Sequence, residues 1–336
     1  EATPYYHCIS RCVRRAFLCG RDRLTGKSFD HSKGWIVEKL ADLCAIFAVR
    51  VCAYGVLSSH FHLVLCLDSG RARTWSDEEV VTRHGQLFRH STAQWQQLPP
   101  GPKADHVARW RARLCDLSWF MRCLNESIAR RANAEDNCTG RFWEGRFRSQ
   151  ALLDEAALLT CMSYVDLNPM RAGMAVSLEE SDFTSIQQRL EEAAREQQAE
   201  QEKDQQEHEE AEVRIVPQSE RPRRPDLSPF PFARQGQIDA EDILPVEFGQ
   251  YVELLAATGA MVRGGSEEAK LPEPSRQVLN QLGIDSEHWV ETVVRYHRHF
   301  FSMVGHVHRI AVHCARIDRD QAKGSAWAAK VFRTSA

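Results

Sequence analysis

Residues 50–67 most constrain the fold. Val51-Cys52-Ala53-Tyr54-Gly55-Val56-Leu57 and His60-Phe61-His62-Leu63-Val64-Leu65 are two runs rich in β-formers, separated by Ser58-Ser59. That pattern predicts strands over 50–57 and 60–67 joined by a tight break. A strand turns successive side chains to opposite faces. Phe61, Leu63 and Leu65 therefore face one way, toward a core, and His60 and His62 stand together on the other. Two neutral imidazoles side by side make half a site for a divalent metal. The bland alternative is a pair of structural histidines. The chain carries its own comparison, since His297-Arg298-His299 and His306-Val307-His308 have the same spacing. Those later pairs fall in stretches that read as helix, where residues two apart diverge.

The remaining pattern is mixed. Tyr5 to Val13 alternates and predicts a first strand. Ser32 to Val49 places Trp35, Ile36, Leu40, Leu43, Cys44 and Phe47 at helical spacing. The opening order is thus strand, helix, strand, strand, an α+β class. Residues 70–110 are polar, contain Pro99-Pro100-Gly101-Pro102 and read as an insertion or lid. Trp75, Trp95, Trp110 and Trp119 lie in or beside it, either packed beneath the insertion or exposed for stacking on bases. Residues 107–133 read as one helix. Asp154 is a strong N-cap for a helix that must end near Pro169. Tyr164 and Asn168 share its last face if the helix persists, presenting a hydroxyl and an amide oxygen able to ligate a metal.

Charge divides the 336-residue chain. Residues 1–190 hold 25 Lys and Arg against 21 Asp and Glu, residues 191–242 hold 7 against 15, and residues 243–336 hold 11 against 10. Glu191 to Glu212 has almost no large apolar residues and cannot build a core; it is a solvated helix or a charged linker. A proline-rich stretch follows from Arg221. The expected organisation is therefore a domain over 1–190, a linker over 191–242 and a mainly helical region over 243–336. The mildly basic first part permits phosphate contacts without establishing them. Arg11, Arg14 and Arg15 near the first strand's end suit phosphate binding or surface charge equally. Gly140-Arg141-Phe142-Trp143-Glu144-Gly145-Arg146-Phe147-Arg148 interleaves arginines with rings. That mixture suits a nucleic-acid groove, with Arg141, Arg146 and Arg148 on phosphates and rings on bases, or a strand whose arginines face water. The basic end of the chain either binds DNA or docks elsewhere. Eleven cysteines without a Cys-x-x-Cys pair read as buried free thiols of a reducing cytosol. No apolar run reaches the length of a membrane span, and no signal pattern opens the chain.

Three stretches together carry a resemblance. Tyr6-His7-Cys8-Ile9-Ser10-Arg11, Ser58-Ser59-His60-Phe61-His62-Leu63, and Gly140 to Arg148 followed by Tyr164-Val165-Asp166-Leu167-Asn168-Pro169-Met170-Arg171-Ala172-Gly173 resemble, in order and spacing, the REP-associated tyrosine transposases. These belong to the single-tyrosine HUH transposases. The resemblance covers about residues 4–190. It implies the HUH endonuclease fold, a ferredoxin-like antiparallel sheet with helices on one side, here with a helical C-terminal extension. By the same resemblance His60 and His62 are metal ligands, Asn168 is a third where related proteins often carry Gln, and Tyr164 is the nucleophile. Arg171 joins the arginines expected to hold DNA.

The implied activity is metal-dependent nicking and joining of single-stranded DNA, with Mg²⁺ or Mn²⁺ as cofactor. Attack by Tyr164 would leave a 5′-phosphotyrosine and a free 3′-hydroxyl, conserving bond energy for DNA transposition or recombination. The implied substrate is a hairpin such as a repetitive extragenic palindrome. The implied state is a monomer or homodimer in a bacterial cytoplasm, associated with the nucleoid and not with a membrane. Two rivals use the same features: a replication initiator or relaxase with like chemistry, and a hairpin-binding regulator that does not cut.

Overall fold

The computed structural model describes residues 3–13, 26, 28–206, 223–230, 244–264 and 270–333. It is a mixed α/β structure built on one five-stranded sheet. The chain runs β1 (Tyr5–Arg11), α1 (His31–Ile46), β2 (Val49–Val56), β3 (His60–Leu67), α2 (Ser69–Thr74), α3 (Asp77–Leu87), α4 (Arg89–Gln96), α5 (Pro100–Arg113) and α6 (Leu117–Glu135). It continues through β4 (Arg148–Leu152), α7 (Glu155–Asp166), α8 (Asn168–Arg171), α9 (Ser185–Gln206), α10 (Phe248–Gly264), α11 (Glu273–Gln281), α12 (Trp289–Val294), α13 (Tyr296–His299), β5 (Met303–Val304), α14 (Val307–Arg316) and α15 (Ser325–Val331).

The strand order is β2-β3-β1-β4-β5. β1 sits between β3 and β4 and is antiparallel to both, β2 and β3 form a hairpin, and β5 joins β4 in parallel. Ser58-Ser59 is the break between β2 and β3, closed by Leu57 N–H donating to the His60 carbonyl at 2.9 Å. The alternation in β3 separates two cores. Phe61, Leu63 and Leu65 are fully buried with α1, α5 and α6. Val64 and Cys66, whose side chains leave the opposite face, are buried with α7 and the C-terminal helices. Burial of residues such as Phe61 and Leu63 stabilises by about 1.5–3 kcal/mol each. A one-residue slip would exchange this apolar set for histidines, so the register is firmly specified.

Here the structure corrects the expectation of helices on one side. α1 and α6 pack together on one face, and α7 covers the histidine face. α7 is buried along Ala156 to Asp166 because sheet and C-terminal helices sandwich it. Its all-round apolar sequence agrees with that position. Residues 244–264 and 270–333, set apart in sequence by the charged segment, add β5 to the sheet and side chains such as Tyr251, Trp289 and Tyr296 to the same core. Among residues 191–242, α9 accounts for the start of the acidic run as a solvated helix whose first turns are buried. Residues 223–230 lie along the edge of β2, with Ser228 N–H donating to the Val51 carbonyl at 2.8 Å. An unpaired sheet edge is thereby covered.

Asp166 fastens this arrangement. It accepts from Ser185 Oγ at 2.5 Å, Ile186 N–H at 3.0 Å and Tyr251 Oη at 2.7 Å, joining α7 to α9 and α10. Burial pushes its carboxyl up to about 6 against these partners. All ten cysteines among the described residues are free thiols. No helix among them is long and apolar enough to cross a membrane.

Two boundaries differ from expectation. The helix read over 107–133 is α5 and α6 meeting at residues 114–116. Ala48 N–H takes the Leu114 carbonyl at 2.8 Å, and Asp116 caps a fresh helix by accepting from Trp119 N–H at 2.8 Å. The insertion after β3 folds into α2 to α5, with Trp75 and Trp110 buried and Trp95 packed against them. His84 stacks on Trp110 with ring centres 4.0 Å apart, and burial lowers its pKa from the usual 6.5 to about 4. Between these values the unfolded chain takes up a proton at His84 that the folded chain does not. The stabilisation by a neutral His84 is thus complete above pH 6.5 and is lost as pH falls toward 4. The urea midpoint is expected to drop over that range, and to drop less in His84→Phe, which keeps the stacked ring. Parallel curves for both proteins would remove His84 from the effect.

Candidate functional site

The site begins with the β register. Ile9 lies opposite both His62 and Arg148, His7 opposite both Val64 and Gln150, and Arg11 opposite His60. Directly paired residues share a face. Arg11, His60, His62, His7, Gln150 and Arg148 therefore emerge on one side of three adjacent strands. The His60 and His62 ring centres are 4.9 Å apart, and His7 and His62 meet edge to edge with ring centres 5.2 Å apart.

α7 brings Tyr164 down onto these rings. Its ring centre is 5.4 Å from His62 and 5.9 Å from His7, both edge to face. Asp154 starts the helix by accepting from Ala157 N–H at 2.9 Å, and Leu167 separates it from the short α8, whose second residue is Pro169. That break leaves Asn168 buried at the first position of α8. Arg171 places its guanidinium 4.2 Å from the Tyr164 ring and donates to the carbonyls of Tyr164 at 3.2 Å and Val294 at 3.1 Å. The structure thus brings His60, His62, Tyr164 and Arg171 into one cluster.

Burial sets the electrostatics. It lowers His60 to about 4, with Arg11 and Arg171 adding repulsion, and holds His62 well below the ordinary value. Both imidazoles are neutral near pH 7, as metal ligation requires. Burial raises the Tyr164 phenol above its usual 10, while Arg171 pulls the other way. The phenol is therefore protonated at neutral pH. Around the imidazoles the charges of Arg11 and Arg171 make a setting that favours phosphate.

His62 Nε2 and Asn168 Nδ2 are buried and have no hydrogen-bond partner. An amide turned by half a rotation presents its oxygen where the nitrogen stood. Two neutral imidazoles, one with a bare buried nitrogen, suit a borderline divalent ion, and a harder one such as Mg²⁺ or Mn²⁺ needs oxygen ligands beside them. Among the described residues no three His, Cys, Asp or Glu side chains converge as a ready cation site. Such an ion would thus depend on the amide or on substrate oxygens to complete its shell.

The arginines divide. Arg11 is exposed beside the imidazoles and pairs with Glu144 at 3.5 Å. Arg148 is exposed in the same cross-strand row as His62. Arg146 is exposed in the loop before β4. Arg141 instead braces that loop, donating to the carbonyls of Trp143 and Glu144. Arg14 and Arg15 lie outside the described residues. Of the interleaved rings, Phe142 is buried and so does not stack on bases, while Trp143 is half-buried and meets Phe61 edge to face at 5.6 Å. The segment pairs with the end of β1, Val13 N–H donating to the Phe142 carbonyl at 2.9 Å, and this turns its rings inward.

Three participants escape sequence reasoning: His7, Gln150 and Tyr296. The first two were findable only by aligning Tyr5–Arg11 and β4 on the histidine strand, and periodicity does not supply a register. Tyr296 comes from α13, more than a hundred residues beyond Tyr164. It stacks on Tyr164 with centres 4.6 Å apart and planes inclined by 22°. Under this roof Tyr164 is only 5% exposed. His297 and His299, by contrast, form no second paired site, since His299 stacks on Trp327 at 3.7 Å.

No family model matches the chain, and no curated protein matches it either. A solved structure, described as a REP-associated tyrosine transposase bound to a REP hairpin, is similar to it. The two are 13% identical over 55% of this chain and 78% of the other, with a TM-score of 0.33. That likeness is slight and transfers no residue role.

Replacing Tyr296 with Ala is expected to expose the Tyr164 ring. Tetranitromethane should then nitrate Tyr164 several times faster than in the wild type, read by peptide mass spectrometry. Equal rates would mean that Tyr296 does not shield it.

Proposed function

We propose that this chain is a metal-dependent single-stranded DNA nickase and strand transferase acting on hairpin DNA. The observation that carries the reading is one cluster: a tyrosine edge-on to two neutral strand histidines, with an arginine against its ring. The sequence blocks that resemble the REP-associated tyrosine transposases supply the reaction class. On this reading the strands β2-β3-β1-β4 with α1 and α6 are a ferredoxin-like unit of the HUH type, and residues 243–336 are its extension.

Tyr164 Oη is the nucleophile for the scissile phosphorus, and the phosphodiester's 3′ oxygen leaves. The bond made is a 5′-phosphotyrosine and the product end is a 3′-hydroxyl, so reversal by another 3′-hydroxyl joins strands without a nucleotide cofactor. The protonated phenol loses its proton on attack and the departing 3′ oxygen takes one up, so the exchange is neutral overall. Arg171 favours the phenolate by its charge and holds the ring in place. His60, His62 and Asn168 are the residues that would hold Mg²⁺ or Mn²⁺. When bound, the ion supplies Lewis-acid polarisation of the phosphate and offsets charge on the departing oxygen. Arg11, Arg146 and Arg148 contact backbone phosphates from the exposed rim.

The near-complete burial of Tyr164 favours one rival, a hairpin-binding regulator that does not cut. Mass spectrometry of protein mixed with a hairpin oligonucleotide and Mn²⁺ separates the two. The cleaving reading predicts a covalent adduct on Tyr164 that Tyr164→Phe abolishes while binding stays within about threefold, since the lost hydroxyl is not a phosphate contact. Binding without an adduct in the wild type would favour the regulator. Arg148→Ala is expected to weaken hairpin binding and to lower the slope of log K against log salt by about 0.7, the value for one phosphate contact on a single strand. An unchanged slope would take Arg148 out of the interface.

A further inference from the structure

A chain of hydrogen bonds reaches His62 from behind, through residues to which the proposed reaction assigns nothing. Gln150 Nε2 donates to the Phe300 carbonyl at 3.0 Å. A carbonyl only accepts, so this bond fixes which way the amide points. Gln150 Oε1 then faces His7 Nδ1 at 2.6 Å, and His7 Nδ1 must carry the hydrogen. In a neutral imidazole the other nitrogen is an acceptor. His7 Nε2 lies 2.9 Å from His62 Nδ1, so His62 donates there. His62 Nε2 is left with a bare lone pair, and it is the nitrogen that is buried without any partner.

We infer that Gln150 and His7 are positioning residues that hold His62 as its Nδ1–H tautomer and aim the Nε2 lone pair into the site. The inference rests on the metal reading above for its purpose, but the tautomer itself is a property of the protein alone. Each link is directional. The Phe300 carbonyl orients Gln150, Gln150 orients His7, and His7 leaves His62 one way to be satisfied. The geometry is favourable for such a chain: His7 and Gln150 are opposite one another across β1 and β4, and the His7 and His62 rings meet edge to edge with planes inclined by only 16°. His7 is fully buried and Gln150 nearly so, so water does not compete for these bonds. A partner of this kind behind a ligating histidine fixes ring orientation and commonly changes metal affinity by about ten- to a hundredfold. The end of α13 is thereby coupled to the site through one backbone carbonyl, that of Phe300.

The test uses full-length protein labelled with ¹⁵N-histidine and free of metal. Two-bond proton–nitrogen correlation spectra report the tautomer of each ring, and His7→Gln and His62→Gln assign the signals. The wild type is expected to show both His7 and His62 as Nδ1–H tautomers. Gln150→Leu should release that preference at His62 and weaken Mn²⁺ binding by about ten- to a hundredfold, measured by the electron spin resonance of free Mn²⁺ without DNA. His7→Gln keeps an acceptor for His62 Nδ1 and should stay within about threefold of wild type, whereas His7→Leu should behave like Gln150→Leu. An Nε2–H tautomer at wild-type His62, or a His62 tautomer unmoved in Gln150→Leu, would overturn the inference. The wild-type spectrum decides the first point even if a variant fails to fold. The expected tautomers together with no Mn²⁺ binding would support the positioning and overturn the metal reading instead.

Discussion

The two-residue period of β3 is the constraint on which everything else rests. It sends Phe61, Leu63 and Leu65 into one core and His60, His62, Val64 and Cys66 toward another. Antiparallel pairing with β1, and of β1 with β4, extends the same division over three strands. A buried polar strip of His7, His62 and Gln150 then lies in this face, between the apolar Val64 and Cys66 and the more exposed His60, Arg11 and Arg148. Buried polar atoms are costly unless partnered. These partner one another in sequence, and the single atom left over is His62 Nε2.

The second consequence is that this face has a roof. α7 lies on it, and α10, α12 and α13 lie against α7, so the tyrosine is held between a sheet and a helical layer. The Asp166 knot links the end of α7 to Ser185 and Tyr251, two residues beyond Tyr164. A phenol held this way has little freedom to miss its target, but it also has little contact with water. Its pKa rises, and its ring is stacked between Tyr296 and Arg171. Rigidity and concealment come from the same packing.

Charge follows the fold more closely than it follows the sequence. The arginines of residues 140–148 are interleaved with rings, yet the rings turn into the α6 side of the sheet. Of the arginines, Arg141 ties the loop while Arg146 and Arg148 stay at the surface. Arg171, which in sequence is one basic residue in a helical stretch, ends against the phenol and pushes both imidazoles toward neutrality.

Alternation and capping are local, and local patterns were legible. The β2–β3 hairpin, the shared face of His60 and His62, the Asp154 cap and the halt at Pro169 all follow from periods, turn residues and proline's missing N–H. So did the inability of the acidic run to build a core. The single helix read over 107–133 failed because Asp116 caps a new helix at the point where the sheet edge claims the preceding carbonyl. Helices on one side failed because α7 lies on the histidine face, where its all-round apolar surface is covered by helices from residues more than seventy positions further on. What only the tertiary structure decided is which side chains meet: His7 with His62, Gln150 with His7, Tyr296 with Tyr164. Those meetings depend on strand register and on long-range burial, and neither leaves a periodic trace in the residues that take part.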